Sequence, residues 1–441
     1  MREAELEYER ARAETLGLFE GFGIEIEYML VTAERLDVAP ICDRLLAAAA
    51  GSVTNEVDHG PIAWSNELAL HVVELKTNGP APRLAGLAEA FQHSLRDADA
   101  LAGDEGARLL PGAMHPWMDP DREMSLWPHD YSPIYQAYDR IFDCRGHGWA
   151  NLQSVHINLP FRGDRELHAL HAAIRHLLPI LPALAASSPI ADGRDSGFAD
   201  YRMEVYRHNA RRIPEIAGVV IPPAIGSADE YQARILAPMY RAIAPFDPDG
   251  VLQEEWLNSH GAIARFDRNA IEIRVLDTQE RPHADLAIVA LITSVLRALV
   301  EERFGHLRDL DTLETARLAS LFRSVIERGD ATRIEDSRWL QTFGIRSGSI
   351  WACDLWSYLL EACSDHLEAT GVDTGPLELI LDQGTLATRL RRALGLNGAP
   401  TGPVPLTPSG TPPKGFPREQ LTEVWVRLAD CLRHGTPFDG R

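Results

Sequence analysis

The chain has 441 residues, 45% of them hydrophobic, and a formal net charge of −21. This size allows a large core in one domain or two, and the acidic balance argues against nucleic acid and anionic membranes as partners because like charges repel. The only lysines are Lys76 and Lys414, and neither stands in a Gly-x-x-x-x-Gly-Lys-Ser/Thr sequence, which excludes a nucleotide site of the P-loop type.

The cysteines and the N-terminal sequence indicate the compartment. Five cysteines are scattered without a Cys-x-x-Cys pair, which favours a reducing environment over a disulfide or zinc framework. The N-terminal sequence has a charged, helical pattern rather than that of a signal peptide, and no apolar run reaches the length of a membrane span. We therefore expect a cytoplasmic protein.

The predicted elements mix strands and helices up to about residue 280 and are helical thereafter. After an N-terminal helix, strands are expected at 22–31, 53–58, 67–76, 108–114, 150–159, 263–266 and 270–276. Helices are expected at 39–50, 81–103, 164–186, 283–304, 311–328, 350–369, 384–395 and 417–435, and loop-rich segments at 117–148 and 187–225. This order fits an α+β fold, in which an antiparallel sheet carries helices on one face.

Two glutamates, Glu25 and Glu27, stand two residues apart in the first predicted strand. Side chains alternate along a strand, so both carboxylates lie on one face while Ile24 and Ile26 lie on the other. Neighbouring carboxylates repel each other, and burial strengthens that repulsion. A divalent cation would remove the conflict, whereas a solvated face of an edge strand is the alternative interpretation.

Another pair, Glu67 and Glu74, brackets an apolar stretch in the predicted strand 67–76. Glu74 lies between two aliphatic residues, which predicts a specific partner for its carboxylate; an ion pair with Lys76 is the alternative. The spacing of seven residues places the two glutamates on opposite faces of a regular strand. Both reach one site only if a bulge or a strand end intervenes.

Two further strands carry polar groups at alternate positions. His156 and Asn158 share a face of the strand 150–159, and Glu272 and Arg274 share a face of the strand 270–276. The structural alternatives are a buried core role for His156 and a weak cross-strand ion pair for Glu272 and Arg274. In the functional interpretation Glu272 binds a metal, and Arg274, with its permanent charge and forked donors, binds a phosphate or carboxylate oxygen.

The segment 187–225 combines Ser, Gly and Arg in a long irregular stretch. Glycine and serine permit close approach of the backbone to an anionic ligand, and Arg202 is suited to clamp a substrate carboxylate. A surface loop with solvated arginines is the alternative. Together with the strand residues, this pattern predicts an oxygen-rich site with one imidazole, which suits Mg²⁺ or Mn²⁺ bridging phosphate oxygens.

The motifs taken in order resemble the glutamate–cysteine ligase type 2 family, which includes carboxylate–amine ligases and is related in fold to glutamine synthetase. They are GIEIE, ELALHVVELKTNGP, GAMHP, SVHINL, SSPIADGRDSGFADYR and AIEIRVLD. The resemblance runs from about residue 20 to 300, with a weaker similarity at 384–435. It implies a curved antiparallel sheet forming a half-open barrel, with helices outside it and a helical C-terminal part.

The resemblance also implies an activity and a set of site residues. The expected reaction is ATP-dependent amide formation between the γ-carboxyl of glutamate and an amine such as that of cysteine, through an acyl phosphate. Arg274 would contact the γ-phosphate and the acyl phosphate, Asn158 would join it in binding the nucleotide, and Arg202 would bind the glutamate carboxylate. The metal ligands would be Glu25, Glu27, Glu67, Glu74, His156 and Glu272.

The expected domain organisation follows the same division. Residues 1–300 form the catalytic sheet domain, 301–395 a helical part packed on it, 396–416 a Pro/Gly-rich linker, and 417–441 a C-terminal helix and tail. The expected partners are small-molecule substrates, and a homo-oligomer remains open. A ligase acting on another amine or acid, a non-catalytic relative and a metal-dependent hydrolase are the alternatives, but the last lacks a His-x-His pair or a His-Glu-x-x-His motif.

Overall fold

The structure, a computed structural model, describes residues 15–403 and 415–441. The predicted N-terminal helix and most of the predicted linker 396–416 lie outside the described residues. Strands are β1 (Gly23–Thr32), β2 (Glu56–His59), β3 (Ile62–Asn66), β4 (Val72–Thr77), β5 (Ala107–Leu110), β6 (Ser154–Pro160), β7 (Ile190–Ala191), β8 (Arg194–Asp195), β9 (Ala262–Arg265), β10 (Ala270–Asp277), β11 (Arg333–Ile334) and β12 (Ile350–Trp351).

One eight-stranded sheet organises the described chain. Its order is β2-β3-β4-β1-β6-β10-β9, with β5 paired to the second half of β1, and its neighbouring strands are antiparallel. Behind β1 the side chains of Ile24, Ile26 and Tyr28 are fully buried in the main core. Because side chains alternate along β1, Glu25 and Glu27 point to the opposite side of the sheet.

Helices surround this sheet and form most of the chain after residue 280, which confirms the α+β expectation. Their bounds are Cys42–Ala50, Leu87–Asp104, Pro120–Glu123, Ser132–Phe142, His147–Ala150, Gly163–Leu177, Pro182–Ala185, Tyr201–Tyr206, Ala228–Tyr231, Ala237–Ile243, Pro282–Val300, Leu307–Asp311, Thr315–Arg328, Ser337–Gln341, Ala352–Ala362, Ser364–Thr370, Gly375–Gln383, Leu386–Ala393 and Arg418–His434.

The helix Pro282–Val300 corrects one statement made from the sequence. It is long and apolar enough, by length and composition, to cross a membrane, although no such run was expected. Most of its side chains are buried, and it packs against the helices Leu87–Asp104 and Gly163–Leu177. Burial on nearly all sides is what a central core helix requires, and this explains its apolar composition.

The C-terminal helix Arg418–His434 docks on the same body of the protein. Arg433 donates to the Asp99 carboxylate at 2.7 Å, and the Gln92 amide donates to the Leu432 carbonyl at 2.9 Å. These contacts join residues more than 300 positions apart. The C-terminal helix thus covers the outer side of the helix Leu87–Asp104.

Several predicted elements differ from the structure. Only the second half of the predicted strand 67–76 is a strand: β3 ends at Asn66, the chain turns, and β4 begins at Val72. The segment 117–148, expected to be loop-rich, contains the helices Pro120–Glu123 and Ser132–Phe142 and the start of His147–Ala150, and the helices Ser337–Gln341 and Gly375–Gln383 were not predicted. Short helices carry too few periodic positions for pattern alone to identify them.

Buried histidine His171 provides a test of the core away from the sheet. Neither ring nitrogen has a hydrogen-bond partner, and burial, with a smaller contribution from Arg175, lowers its pKa to about 3. In the unfolded chain this imidazole is protonated below about pH 6.5, whereas in the folded chain it stays neutral down to about pH 3. The free energy of unfolding is therefore highest above pH 6.5 and falls as the pH decreases towards 3.

We therefore expect His171→Phe to gain stability relative to wild type as pH falls. The difference in unfolding free energy between variant and wild type should grow by about 2 kcal/mol between pH 7.5 and pH 5. Urea denaturation at both pH values measures it, with His208→Phe at an exposed histidine as the control. A pH-independent difference at His171 would contradict the prediction.

Candidate functional site

The strand register brings the predicted carboxylates together on one face of the sheet. Glu27 lies directly opposite Glu74 on β4, and Glu25 lies opposite both Lys76 on β4 and His156 on β6. Directly opposed residues of antiparallel strands point to the same side of the sheet. A face built from three adjacent strands therefore concentrates negative charge.

Glu74 is buried at the centre of this face. Its carboxylate accepts a hydrogen bond from the Ser65 hydroxyl at 2.7 Å and lies 3.4 Å from the Lys76 ammonium. Lys76 also contacts the exposed Glu56 at 2.9 Å, so the ion pair considered as the alternative to a metal site is present but shared. Burial and the charge of Glu25 raise the pKa of Glu74 to about 7.

Glu27 is anchored by the first residue of β6. One carboxylate oxygen accepts hydrogen bonds from the Ser154 backbone N–H at 2.7 Å and from its hydroxyl at 2.9 Å. The other oxygen lies 3.9 Å from Nε2 of His156. Glu27 is only 8% exposed, so its orientation is fixed by these contacts and one oxygen is left for a ligand.

His156 lies between the glutamates. Nδ1 is 2.9 Å from the Glu25 carboxylate and 3.7 Å from that of Glu272, and Nε2 is 2.9 Å from the Ser154 hydroxyl. Although burial lowers its pKa, the hydrogen bond to Glu25 and the surrounding carboxylates raise it to about 9. In this arrangement His156 is a cation that neutralises carboxylates, and it would have to lose a proton to ligate a metal.

Glu25 is held by two neighbours on β6. Besides His156, the Asn158 amide donates to its second oxygen at 3.0 Å. Burial raises the pKa of Glu25, but the hydrogen bond and charge of His156 outweigh burial and lower it to about 2. The side-chain oxygen of Asn158 has no hydrogen-bond partner although it is buried.

Glu67 reaches the same site because the strand ends. It follows the last residue of β3, Asn66, so the spacing to Glu74 does not belong to one regular strand. Burial, then the charges of Glu74 and Glu27, raise the pKa of Glu67 well above its usual value. The strand end that Glu67 and Glu74 need in order to reach one site is thus present, and it brings both glutamates together.

Glu272 and Arg274 form an ion pair on β10. The guanidinium lies 2.9 Å from the Glu272 carboxylate, and Arg265 approaches the other oxygen at 3.6 Å. Glu272 also lies opposite Asn158 in the register. The structure therefore places Glu272 at the edge of the carboxylate cluster and pairs Arg274 with it.

Asp277, to which the sequence assigned no role, holds Arg202 in place. Nε of Arg202 donates to Asp277 at 2.5 Å, and the other Asp277 oxygen accepts from the Ser187 backbone N–H and the Ser188 hydroxyl, each at 2.8 Å. Arg202 is 1% exposed, and its Nη2 has no hydrogen-bond partner. An unpaired guanidinium nitrogen is costly to bury, which suits a clamp for an anionic ligand.

Two cavities meet the carboxylate face from different sides. The first, of about 540 Å³, is lined by Gly21, Gly23, Glu25, Lys76 and Asn158, among others. The second, of about 220 Å³, is lined by Glu27, Glu67, His156, Arg202 and Arg274, among others. The carboxylate cluster therefore separates a larger compartment from a smaller one.

The glycine at the start of β1 matters for the first cavity. A Cβ atom at Gly23 would lie 2.9 Å from that of Asn158, so a larger residue would displace the strand partner that holds Glu25. Position 23, which lines the first cavity, therefore favours glycine.

The donor set fits divalent cations. Ligand atoms of Glu25, Glu74 and His156 lie within 4.8 Å of one another, and so do those of Glu27, Glu67 and Glu74. Burial first, and then the charges of neighbouring glutamates, raise the pKa values of Glu67 and Glu74, so a bound cation would stabilise their ionised forms. Carboxylate oxygens at this density suit Mg²⁺ or Mn²⁺.

The sequence did not identify the aromatic part of the lining of the second cavity. Tyr135, Tyr138, Trp149, Tyr206 and Trp256 contribute to it, together with the backbone of Gly148 and the anchoring serine of β6. The aromatic content of the segment 117–148 was the available signal for two of these rings, Tyr135 and Tyr138. Its periodicity was too weak to show that they meet β10 across the cavity.

Comparison with known proteins gives the family. The model of "Glutamate-cysteine ligase family 2(GCS2)" matches residues 21–402. An uncharacterized protein of Archaeoglobus fulgidus is 39% identical over 272 residues, which cover 62% of this chain and 73% of that protein. A Jannaschia sp. protein named "Putative glutamate--cysteine ligase 2" is 28% identical over 298 residues, covering 65% of this chain and 68% of that protein.

Two solved structures share the fold. The crystal structure of glutamate–cysteine ligase from Francisella tularensis in complex with AMP has a TM-score of 0.52 at 12% identity and covers 95% of this chain and 90% of that chain. A bifunctional glutathione synthetase from Pasteurella multocida has a TM-score of 0.56 at 14% identity, and the match covers 98% of this chain and 54% of that chain. The family match spans the sheet and both cavities, and it confirms the resemblance inferred from the motifs: this chain belongs to glutamate–cysteine ligase family 2.

Proposed function

We propose that this protein is an ATP- and Mg²⁺-dependent carboxylate–amine ligase that activates the γ-carboxyl of glutamate and transfers it to an amine, of which cysteine is the first to test. The observation that carries the proposal is the carboxylate cluster lying between two cavities of unequal size. The larger one accommodates a nucleotide, and the smaller one, with Arg202 at its wall, suits an amino acid.

The metal-binding role falls to the clustered side chains. Glu25, Glu27, Glu67, Glu74 and Glu272 supply carboxylate oxygens, and His156 supplies an imidazole once it is deprotonated. Mg²⁺ bound there would neutralise phosphate charge during phosphoryl transfer. The repulsion among these side chains gives the site its affinity for cations.

The remaining residues orient the reactants. Asn158, whose amide oxygen is unpaired beside the larger cavity, binds the nucleotide, and Arg274 stabilises the γ-phosphate as it passes to the acid. Arg202 clamps the glutamate carboxylate through its unpaired Nη2. The γ-carboxylate attacks the γ-phosphate, the bond from the γ-phosphorus to the bridging oxygen breaks, and ADP leaves, which gives an acyl phosphate. The amine then displaces phosphate from the acyl carbon.

The names of similar proteins support this proposal. The Jannaschia sp. relative carries a ligase name, and the Francisella tularensis ligase was crystallised with AMP. We further propose a cytoplasmic location, residues 1–300 as the catalytic unit with 301–395 packed on it, and small-molecule substrates. A homo-oligomer is compatible with this assignment.

ADP release by the purified full chain tests the proposal. With ATP, Mg²⁺ and glutamate, we expect amine-dependent ADP and phosphate release and an amide product of the expected mass. Omission of glutamate or chelation of the metal should remove this release. Failure to release ADP with any amine would overturn the proposal in favour of a non-catalytic relative.

Replacement of Arg202 by lysine tests the clamp. We expect Arg202→Lys to raise the KM for glutamate about 10- to 100-fold, because lysine cannot pair with Asp277 and present a second donor at once. The KM for ATP should change little. Steady-state kinetics with each substrate varied in turn measure both values.

The exposed Arg211 provides the matched control for this substitution. Arg211→Lys should leave both KM values at the wild-type level. An unchanged KM for glutamate in Arg202→Lys would show that another group binds the substrate carboxylate.

A further inference from the structure

The second cavity has a wall of aromatic rings that the residues discussed so far do not use. We propose that this aromatic wall, formed by Tyr135, Tyr138, Trp149, Tyr206 and Trp256, binds the amine substrate, and that the preferred amine carries a flat apolar group and no carboxylate. The inference rests on the proposed ligase function and specifies its amine.

Three rings of the aromatic wall adjoin one another. The ring centroids of Tyr138 and Trp149 are 5.4 Å apart, and those of Tyr138 and Trp256 are 6.1 Å apart. Tyr138 is buried, whereas the other four rings remain partly exposed within the cavity. Large aromatic surfaces left partly uncovered in a concave site gain free energy when an apolar ligand covers them.

Two polar tips of the aromatic wall are engaged by other protein groups. The Tyr135 hydroxyl accepts a hydrogen bond from the Asn66 amide at 3.1 Å, and the Tyr206 hydroxyl donates to the Ser259 carbonyl at 3.1 Å. These bonds fix the rings and leave their faces as the contact surface. Trp149 retains an unpaired indole N–H, which can donate a single hydrogen bond.

The charges around the second cavity argue against a carboxylate on the amine. Among its described lining residues the cationic side chains are Arg202, Arg274 and His156. In the proposed reaction the first binds glutamate and the second binds the transferred phosphoryl group, while His156 is surrounded by glutamates. The carboxylate of an amino-acid amine would have no cationic side chain left among these described lining residues.

The transfer step is the same for any such amine. The amine nitrogen forms a bond to the acyl carbon, the bond from that carbon to the phosphate oxygen breaks, and the electron pair leaves with phosphate. The extra proton on nitrogen passes to the departing phosphate. ATP, as the co-substrate, supplies the phosphoryl group.

Four amines separate the two features of the proposal. Phenethylamine and phenylalanine differ by a carboxylate, as do ethylamine and alanine, and each pair differs from the other by a phenyl ring. With ATP, Mg²⁺, glutamate and the full chain, we expect kcat/KM for phenethylamine to exceed that for phenylalanine and that for ethylamine by at least ~10-fold each. Cysteine is measured beside them.

A variant of the aromatic wall locates the effect. Trp256→Ala should reduce the ratio of kcat/KM for phenethylamine to that for ethylamine by about 10-fold, because a ring face is removed. Trp351→Ala, at a tryptophan that is 48% exposed and does not line the cavity, should leave the ratio unchanged.

The outcomes distinguish this inference from the function on which it rests. Preference for cysteine, alanine or phenylalanine, or an unchanged ratio in Trp256→Ala, would overturn the amine assignment while the ligase function stands. Absence of ADP release with every amine would overturn both.

Discussion

Replacement of Glu27 by glutamine is expected to reduce amine-dependent ADP release by about 10³-fold while leaving the protein folded. Glutamine has nearly the same shape, and its amide oxygen can still accept the hydrogen bonds that Ser154 donates. The variant loses one negative charge and one ligand oxygen from the cluster opposite Glu74. Binding of the metal should weaken together with turnover.

Stability measurements separate this effect from misfolding. Removal of one of several repelling carboxylates relieves strain in the metal-free protein, so the Tm of Glu27→Gln should equal or exceed that of wild type. Glu34→Gln, at an exposed glutamate in the turn after β1, is the matched control and should retain full activity. Activity of Glu27→Gln near the wild-type level would refute the role of Glu27 as a metal ligand.

Loss of the buried ion pair between Arg389 and Glu280 is expected to give the largest change in stability. The guanidinium contacts the two oxygens of Glu280 at 3.0 and 3.3 Å, and it also donates to the Phe438 carbonyl. Both side chains are fully buried. Arg389→Leu leaves the Glu280 charge buried without a partner, which should lower the free energy of unfolding by about 3–5 kcal/mol.

A double variant tests the cause of this loss. Arg389→Leu combined with Glu280→Leu removes both charges and should recover much of the stability in urea denaturation. Arg303→Leu breaks an exposed pair with Asp365 and should have little effect. If the double variant were less stable than Arg389→Leu, the unpaired charge would not be the cause.

The sequence could predict much of the carboxylate face because its signal is local. Alternation along β1, β6 and β10 assigns Glu25, Glu27, His156, Asn158 and Glu272 to faces without knowledge of the fold. The proximity of Glu67 to Glu74 depends on where β3 ends and β4 begins. Those ends follow from long-range packing, so the turn within the predicted strand 67–76 was not visible in the local pattern.

The contacts of the arginines could not be predicted for a related reason. Asp277 binds Arg202 across 75 positions of sequence, and it does so at the end of β10 after an irregularity in its pairing with β6. A strand pattern gives the side of the sheet but not the distant partner. The aromatic rings of the second cavity likewise come from segments that are separate in sequence and meet only in the folded chain.

Docking of the helix Arg418–His434 has a consequence for the order of folding. Gln92 and Asp99 cannot make their contacts with Leu432 and Arg433 until synthesis has passed residue 433. The surface of the helix Leu87–Asp104 around Gln92 and Asp99 therefore stays uncovered on the ribosome long after that helix has emerged. Contacts so distant in sequence slow folding and prolong the interval in which a nascent chain is prone to aggregate or to engage chaperones.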